Sequence, residues 1–191
     1  MLGHAQVAAY FLTAAQTFYP ESNHLYMEKP AITEARYQEF ADQVASFVLD
    51  SRVKPLFAGE GGYLKTGLLL MSIARFESSY RNDVMTCSKI GDQGVSFGPF
   101  QTSRDPDTVC QSFFQASWVA VEMIRESFQV CKMLPMEDRL AEYTDGNNWM
   151  THKAWKRSED RMNTAIHFWN ATKVALKTQE LTRQTGKKPS N

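Results

Sequence analysis

TGLLLMSIARFESSYRNDVMTCSKIGDQGVSFGPFQ, residues 66–101, is the stretch that decides the fold. It begins with an apolar run and then presents a single acid, Glu77. On a helix, Leu70, Ile73 and Ala74 share the face of Glu77, because side chains three, four and seven residues apart lie together. Other apolar side chains flank this stripe, so nearly the whole circumference is apolar. The pattern predicts a buried helix.

Glu77 ends this helix, so we expect its carboxyl group to stand in an apolar wall. Desolvation in such a wall favours the neutral form of an acid, which suits a general acid near neutral pH. The alternative is that residues 77–80 form only the solvated end of a core helix, with the carboxylate in water.

Three glycines and several polar residues follow the helix within one short segment: Gly91, Asp92, Gln93, Gly94, Ser96 and Gly98. The segment closes on Pro99-Phe100-Gln101. Glycine at this density permits positive φ and a close approach of the backbone to a ligand. We therefore expect a small glycine-rich loop or hairpin within residues 84–101.

Three motifs in this order resemble the lytic transglycosylase and goose-type lysozyme superfamily. In that family a catalytic Glu-Ser ends a buried helix, and a Gly-Leu-Met-Gln-like segment and then an Ala-x-Tyr-Asn-x-Gly motif follow it. The matching segments here are Glu77-Ser78, Gly98-Pro99-Phe100-Gln101 and Ala141-Glu142-Tyr143-Thr144-Asp145-Gly146. The resemblance covers roughly residues 64–170.

The sequence departs from the family pattern at two places. Thr144 stands where the family has Asn, so a contact made through that Asn side chain is not implied here. Pro99-Phe100 replaces the Leu-Met pair, and the proline removes one backbone donor from the loop that would line the sugar cleft.

The resemblance implies cleavage of the β-1,4 bond between N-acetylmuramic acid and N-acetylglucosamine in peptidoglycan. Glu77 would protonate the leaving oxygen, then remove the proton of the muramic acid's own 6-hydroxyl, which closes a 1,6-anhydro ring. Tyr143 would hydrogen-bond the glutamate or the oxocarbenium region. Gln101 and the backbone near Ser96 and Gly98 would hold the sugar. The scheme requires neither a second carboxylate nor a cofactor.

Three alternatives stay open. A hydrolytic lysozyme would use a second carboxylate, for which Asp92 is the best candidate and Asp83 and Asp145 are weaker ones. For Asp92 the stronger interpretation is a turn residue that caps its own backbone. The chain would otherwise be a non-catalytic glycan-binding relative, such as a structural part of a phage tail, or a helical adaptor without a sugar site.

The amino-acid composition limits the classes of protein to which this chain can belong. A length of 191 residues fits one domain, and 43% hydrophobic with 22% charged residues is typical of a folded chain. The net charge is zero, so no overall field favours nucleic acid or acidic lipid. We expect peptidoglycan strands as the partner, no nucleic acid and a monomer. The four histidines are scattered and suggest no metal site.

The three cysteines, Cys87, Cys110 and Cys131, match no zinc spacing, and their odd number leaves at least one thiol unpaired within the chain. If residues 107–131 form one helix, Cys110 and Cys131 lie at opposite ends and do not bond. Cys87 could meet either one. The favoured interpretation is three unpaired thiols.

We predict a mainly α-helical, single lysozyme-like domain over residues 1–181, followed by a polar C-terminal tail, 182–191. The N-terminal helices, within residues 1–62, would pack onto a catalytic core of about 63–175. Besides the central helix, the predicted helices cover 2–18, 33–50 with Thr33 as N-cap, 107–131, 136–143 and 152–178. A cleft should lie between the Glu77 helix, the 91–101 loop and the 141–147 turn.

The N-terminus, MLGHAQVAAYFLTAAQTF, is apolar but lacks a charged first region, so it predicts a helix of the fold rather than a signal peptide. The longest apolar runs are too short to span a bilayer. Small size without a wall-binding module resembles phage lysis or virion-associated enzymes, which is an inference by analogy. Such an enzyme would be released from the cytoplasm or carried in a virion.

Overall fold

A computed structural model describes residues 2–18, 30–91 and 94–185. This described part contains eight α-helices and no strand. The helices are α1 (His4–Phe18), α2 (Pro30–Leu49), α3 (Gly62–Glu77), α4 (Asn82–Met85), α5 (Pro106–Val109), α6 (Phe113–Val130), α7 (Ala141–Asp145) and α8 (His152–Thr185). Short 3-10 turns cover Met136–Asp138 and Gly146–Asn148. The predicted mainly α-helical class is confirmed.

Helix α3 lies at the centre of the core. Every residue from Thr66 to Ala74 is buried, and α1, α2 and α8 all pack against this helix. Gly67 allows α1 to approach closely, because a Cβ atom there would lie 2.2 Å from Cζ of Phe11 in α1. The buried helix predicted from the apolar run is confirmed.

Helix α3 ends at Glu77 because the next residues turn the chain. The backbone amide and the hydroxyl of Ser78 both donate to the carbonyl of Ala74, at 2.9 and 2.8 Å. Ser79 and Tyr80 then adopt left-handed conformations, with φ of 50° and 53°. Ser78 and Tyr80 are buried, so residues 77–80 are not the solvated helix end of the alternative interpretation.

The single helix predicted for residues 107–131 is wrong. The chain forms α5 and α6 instead, and the two helices are separated at residues 110–112. Ser112 begins the second one, because its hydroxyl accepts a 3.2 Å hydrogen bond from the amide of Gln115. Ser-x-x-Gln is a capping-box sequence, so a signal for the break was present.

Other helix boundaries also differ from the predictions. Helix α2 begins at Pro30, so Thr33 lies inside it and is buried rather than capping it. The predicted short helix at 136–143 is a 3-10 turn followed by α7. Helix α8 continues to Thr185, past its predicted end. The connection at residues 19–29 and the end of the tail, 186–191, lie outside the described residues.

Membrane-spanning capacity can be judged from the described helices. None of them combines the length and the apolar character that a bilayer span requires.

Candidate functional site

Glu77 is held in an ion pair with Arg161 of α8. The Nε and Nη2 atoms of the arginine both donate to Oε1 of the glutamate, at 2.9 and 2.5 Å. The Glu77 side chain is 20% exposed and that of Arg161 only 9%. A guanidinium in this position stabilises the charged carboxylate. The expectation that the acid stands in a purely apolar wall is therefore wrong.

Three further contacts hold Arg161 in place. Its Nη1 donates to the carbonyl of Arg157 at 2.8 Å, and its guanidinium carbon lies 5.0 Å from the centre of the Phe76 ring. The hydroxyl of Ser72 in α3 donates to the Arg161 carbonyl at 2.6 Å. The guanidinium is thus fixed against α3 before any ligand binds.

Arg161 was not among the predicted site residues. A signal for it exists in the helical spacing, because Arg161 shares a face of α8 with the buried residues Ser158, Met162 and Ala165. A cation on a buried helix face needs a partner. Only the tertiary packing of α8 on α3 shows that this partner is Glu77.

Tyr143 of α7 lies beside this ion pair. Its hydroxyl donates to the carbonyl of Phe100 at 2.7 Å. Burial raises the pKa of the Tyr143 phenol well above its ordinary value; the Glu77 charge raises it further, and Arg161 lowers it. The phenol therefore stays neutral at physiological pH and remains a hydrogen-bond donor.

The side chain of Gln101 turns back onto its own loop. Its Nε2 donates to the carbonyl of Gly98 at 2.9 Å. Its Oε1 lies over Gly91, where an added Cβ atom would be only 1.9 Å away. Glycine at position 91 is needed for this arrangement. In this state the amide braces the loop, and the predicted sugar contact stays a prediction.

Ser96 and Gly98 both have structural partners, Ser96 within the same loop and Gly98 in α5. Ser96 is buried and forms an antiparallel bridge with Gly91. Gly98 has a φ of 69°, and an added Cβ atom would lie 2.8 Å from a methyl group of Val109. In the described part of this segment, two isolated bridges, Gly91–Ser96 and Phe97–Thr102, stand in place of a regular hairpin. Sugar contacts from either residue stay predictions.

The candidate second carboxylates differ in their surroundings. Asp92 lies outside the described residues. Asp83 pairs with Arg81, and this partner holds the pKa of the Asp83 carboxyl below its ordinary value. Asp145 accepts a 2.8 Å hydrogen bond from Arg157 through Oδ1. Its Oδ2 atom is buried and has no hydrogen-bond partner among the described residues.

A disulfide joins Cys87 to Cys110, with Cα atoms 5.8 Å apart. The predicted three unpaired thiols are therefore wrong, while Cys131 is free and buried. The disulfide closes a loop that contains the whole glycine-rich segment. This bond fixes both ends of the segment that carries Gln101.

The structure also has a groove of about 500 Å³ between α2 and the start of α6. Its lining includes Gln38, Asp42 and Phe114. No predicted site residue within the described ranges lines this groove. Across the same ranges, no group of three or more His, Cys, Asp or Glu side chains could hold a metal ion.

Comparisons of the chain with protein-family models, with curated proteins and with solved structures give no match.

Proposed function

We propose that the protein cleaves the β-1,4 bond between N-acetylmuramic acid and N-acetylglucosamine in peptidoglycan, with Glu77 as the acid and without water as the nucleophile. One observation carries this proposal: three segments that are far apart in sequence meet at one place. Tyr143 contacts Phe100 and interacts electrostatically with Glu77 and Arg161. These are the three segments whose order resembles a lytic transglycosylase.

The proposed chemistry uses one carboxyl group twice. Protonated Glu77 gives its proton to the glycosidic oxygen as the bond to the anomeric carbon breaks. The resulting carboxylate then takes the proton of the muramic acid 6-hydroxyl while that oxygen bonds to the anomeric carbon. The internal hydroxyl is already bound next to the reacting centre, so it needs no capture from solvent.

Tyr143 would support this chemistry as a neutral donor. Its raised pKa prevents a phenolate from forming beside Glu77. Its bond to Phe100 fixes the loop that ends in Gln101. Ser96, Gly98 and Gln101 would then line the sugar site through a loop that the disulfide and Tyr143 hold in position.

The proposal includes the compartment in which the protein acts. A disulfide persists in oxidising compartments and is rare in the reducing cytosol, so the Cys87–Cys110 bond supports action at the cell wall. We propose a monomer that binds glycan strands, encoded by a phage and either released from the cytoplasm or carried in a virion.

A hydrolytic lysozyme is the second candidate, and Asp145 favours it. Its Oδ2 atom, which is buried and has no hydrogen-bond partner among the described residues, could accept a hydrogen bond from an attacking water. Asp92 is the other residue that would take this role. A catalytically silent glycan-binding relative would retain the fold and bind glycan without cleaving it.

Mass spectrometry of digested peptidoglycan tests the proposal. The transglycosylase reaction yields muropeptides that end in 1,6-anhydro-muramic acid. The mass of each is lower than that of the hydrolytic product by one water molecule. We expect these anhydro products from the native protein and from the Asp92→Asn and Asp145→Asn variants. Reducing-end products from the native protein, lost in one Asp variant, would establish the lysozyme instead. Glycan binding without products would indicate the silent relative.

A further inference from the structure

The ion pair between Glu77 and Arg161 opposes the first step of the proposed reaction. That step needs a proton on the glutamate, yet two hydrogen bonds from the arginine converge on its Oε1 atom. An opposite charge at this distance favours the charged form of an acid. The arginine therefore favours the base form of Glu77, although the reaction begins with the acid form.

The guanidinium is too well anchored to be an incidental surface contact. Exposed ion pairs contribute little, because two long side chains must be ordered in water. Arg161 is only 9% exposed, and the Arg157 carbonyl and the Phe76 ring hold it from two other sides. Little side-chain entropy remains to be lost when Arg161 pairs with Glu77, so the pair avoids a main cost of exposed ion pairs.

Charged and titratable groups near the Glu77 carboxylate also come from α7, α8 and α3 itself. From α7, Tyr143 contributes a neutral phenol. On α8, one turn before Arg161, Arg157 is paired with Asp145 of α7, so these two charges largely cancel. On α3 itself, the Arg75 guanidinium lies over the Phe76 ring, 5.4 Å from its centre. Arg161 contacts the carboxylate directly, through two hydrogen bonds to one oxygen.

We propose that Arg161 is a positioning residue that holds Glu77 in its charged form and thereby sets the pH above which glycan cleavage stops. This inference rests on the proposed role of Glu77. Cleavage needs the protonated acid, and the protonated fraction falls as pH rises. Since Arg161 favours the carboxylate, it moves this loss of activity to lower pH.

Removal of the charge tests the inference through a pH profile. In Arg161→Met the alkaline limb of cell-wall cleavage should move to higher pH by about one unit or more. Arg161→Lys keeps a cation and should stay closer to the native profile. Arg104→Met is the matched control, because it removes a cation from another Arg–Glu pair, Arg104–Glu126, that is about half exposed on both sides. Its profile should match that of the native protein.

A second readout is independent of activity. NMR of ¹³C-labelled glutamate, with the Glu77 signal assigned by its absence in Glu77→Gln, follows the protonation of this carboxyl directly. Its titration midpoint should rise in Arg161→Met and not in Arg104→Met. If Arg161→Met does not fold, Arg161→Gln, which is neutral but can still donate a hydrogen bond, serves in its place.

The outcomes separate this inference from the proposed function. An unchanged Glu77 midpoint in a folded, charge-removed variant overturns the role of Arg161, whatever the activity. A raised midpoint in a protein that cleaves no wall polymer at any pH upholds the control of charge and overturns the proposed function. A raised midpoint together with a shifted alkaline limb supports both.

Discussion

The hydroxyl of Tyr143 donates a 2.7 Å hydrogen bond to the carbonyl of Phe100, across 43 positions of sequence. This bond connects α7 to the loop that follows the glycines. The Phe100 ring is fully buried and packs against Phe40 of α2 and Phe113 of α6. The loop is therefore attached to the core by the packing of the Phe100 ring. It is attached to α7 by the hydrogen bond from Tyr143 to the Phe100 carbonyl.

Tyr143→Phe should remove this bond and little else. It leaves the carbonyl of Phe100 without its donor, which costs about 1–3 kcal/mol for a buried group. We expect a lower unfolding midpoint in urea and a partial loss of wall-clearing rate, because Glu77 remains in place. An unchanged clearing rate with reduced stability would mark Tyr143 as a structural residue alone.

Gly91 and Gln101 should be energetically coupled. Gly91→Ala places a methyl group where Oε1 of Gln101 lies, so the amide must leave its bond to Gly98. Gln101→Ala removes the same bond directly. The double variant should therefore lose less stability than the sum of the two singles, with a coupling of about 0.5–3 kcal/mol in a urea-unfolding cycle. Additive losses would show that the amide does not occupy this position.

The disulfide should stabilise the protein through the loop it closes. The two cysteines are 23 positions apart, for which the chain-entropy relation gives about 3 kcal/mol. We expect a Cys87→Ser/Cys110→Ser double variant to unfold at lower urea concentration, and the native protein to do the same under reductant. Cys131→Ser is the matched control, and reductant should still destabilise that variant. Equal stability of native and double variant would contradict the pairing.

The apolar run before Glu77 was enough to predict a buried α3. Leu70, Ile73 and Ala74 are all fully buried. A helix with an uninterrupted apolar stripe is stable when that stripe packs into the core. The order of the motifs in the sequence also predicted that Tyr143 and the segment containing Phe100 belong to the same site. Each of these predictions depends on local periodicity or on the order of segments.

Other features depend on contacts between residues that are far apart in the sequence, and local patterns do not predict such contacts. Arg161 meets Glu77 across 84 positions through the packing of α8 on α3. The sequence left open whether Cys87 meets Cys110 or Cys131, and the fold brings Cys87 to Cys110. The apolar pattern across 107–131 concealed the break between α5 and α6. The Ser112-x-x-Gln115 capping sequence indicates this break, but the apolar residues on both sides of it favour one continuous helix.

The measurement that tests the central claim most directly is the wall-clearing rate of Glu77→Gln against that of the native protein. The glutamine keeps the volume and can still accept a hydrogen bond from Arg161, so the fold should persist in circular dichroism and thermal unfolding. It carries no transferable proton, so the rate should fall by about 10²–10⁴-fold. Glu126→Gln, which alters an exposed acid paired with Arg104, should retain the native rate. A folded Glu77→Gln protein that clears walls as fast as the native one would contradict the assignment of Glu77 as the acid.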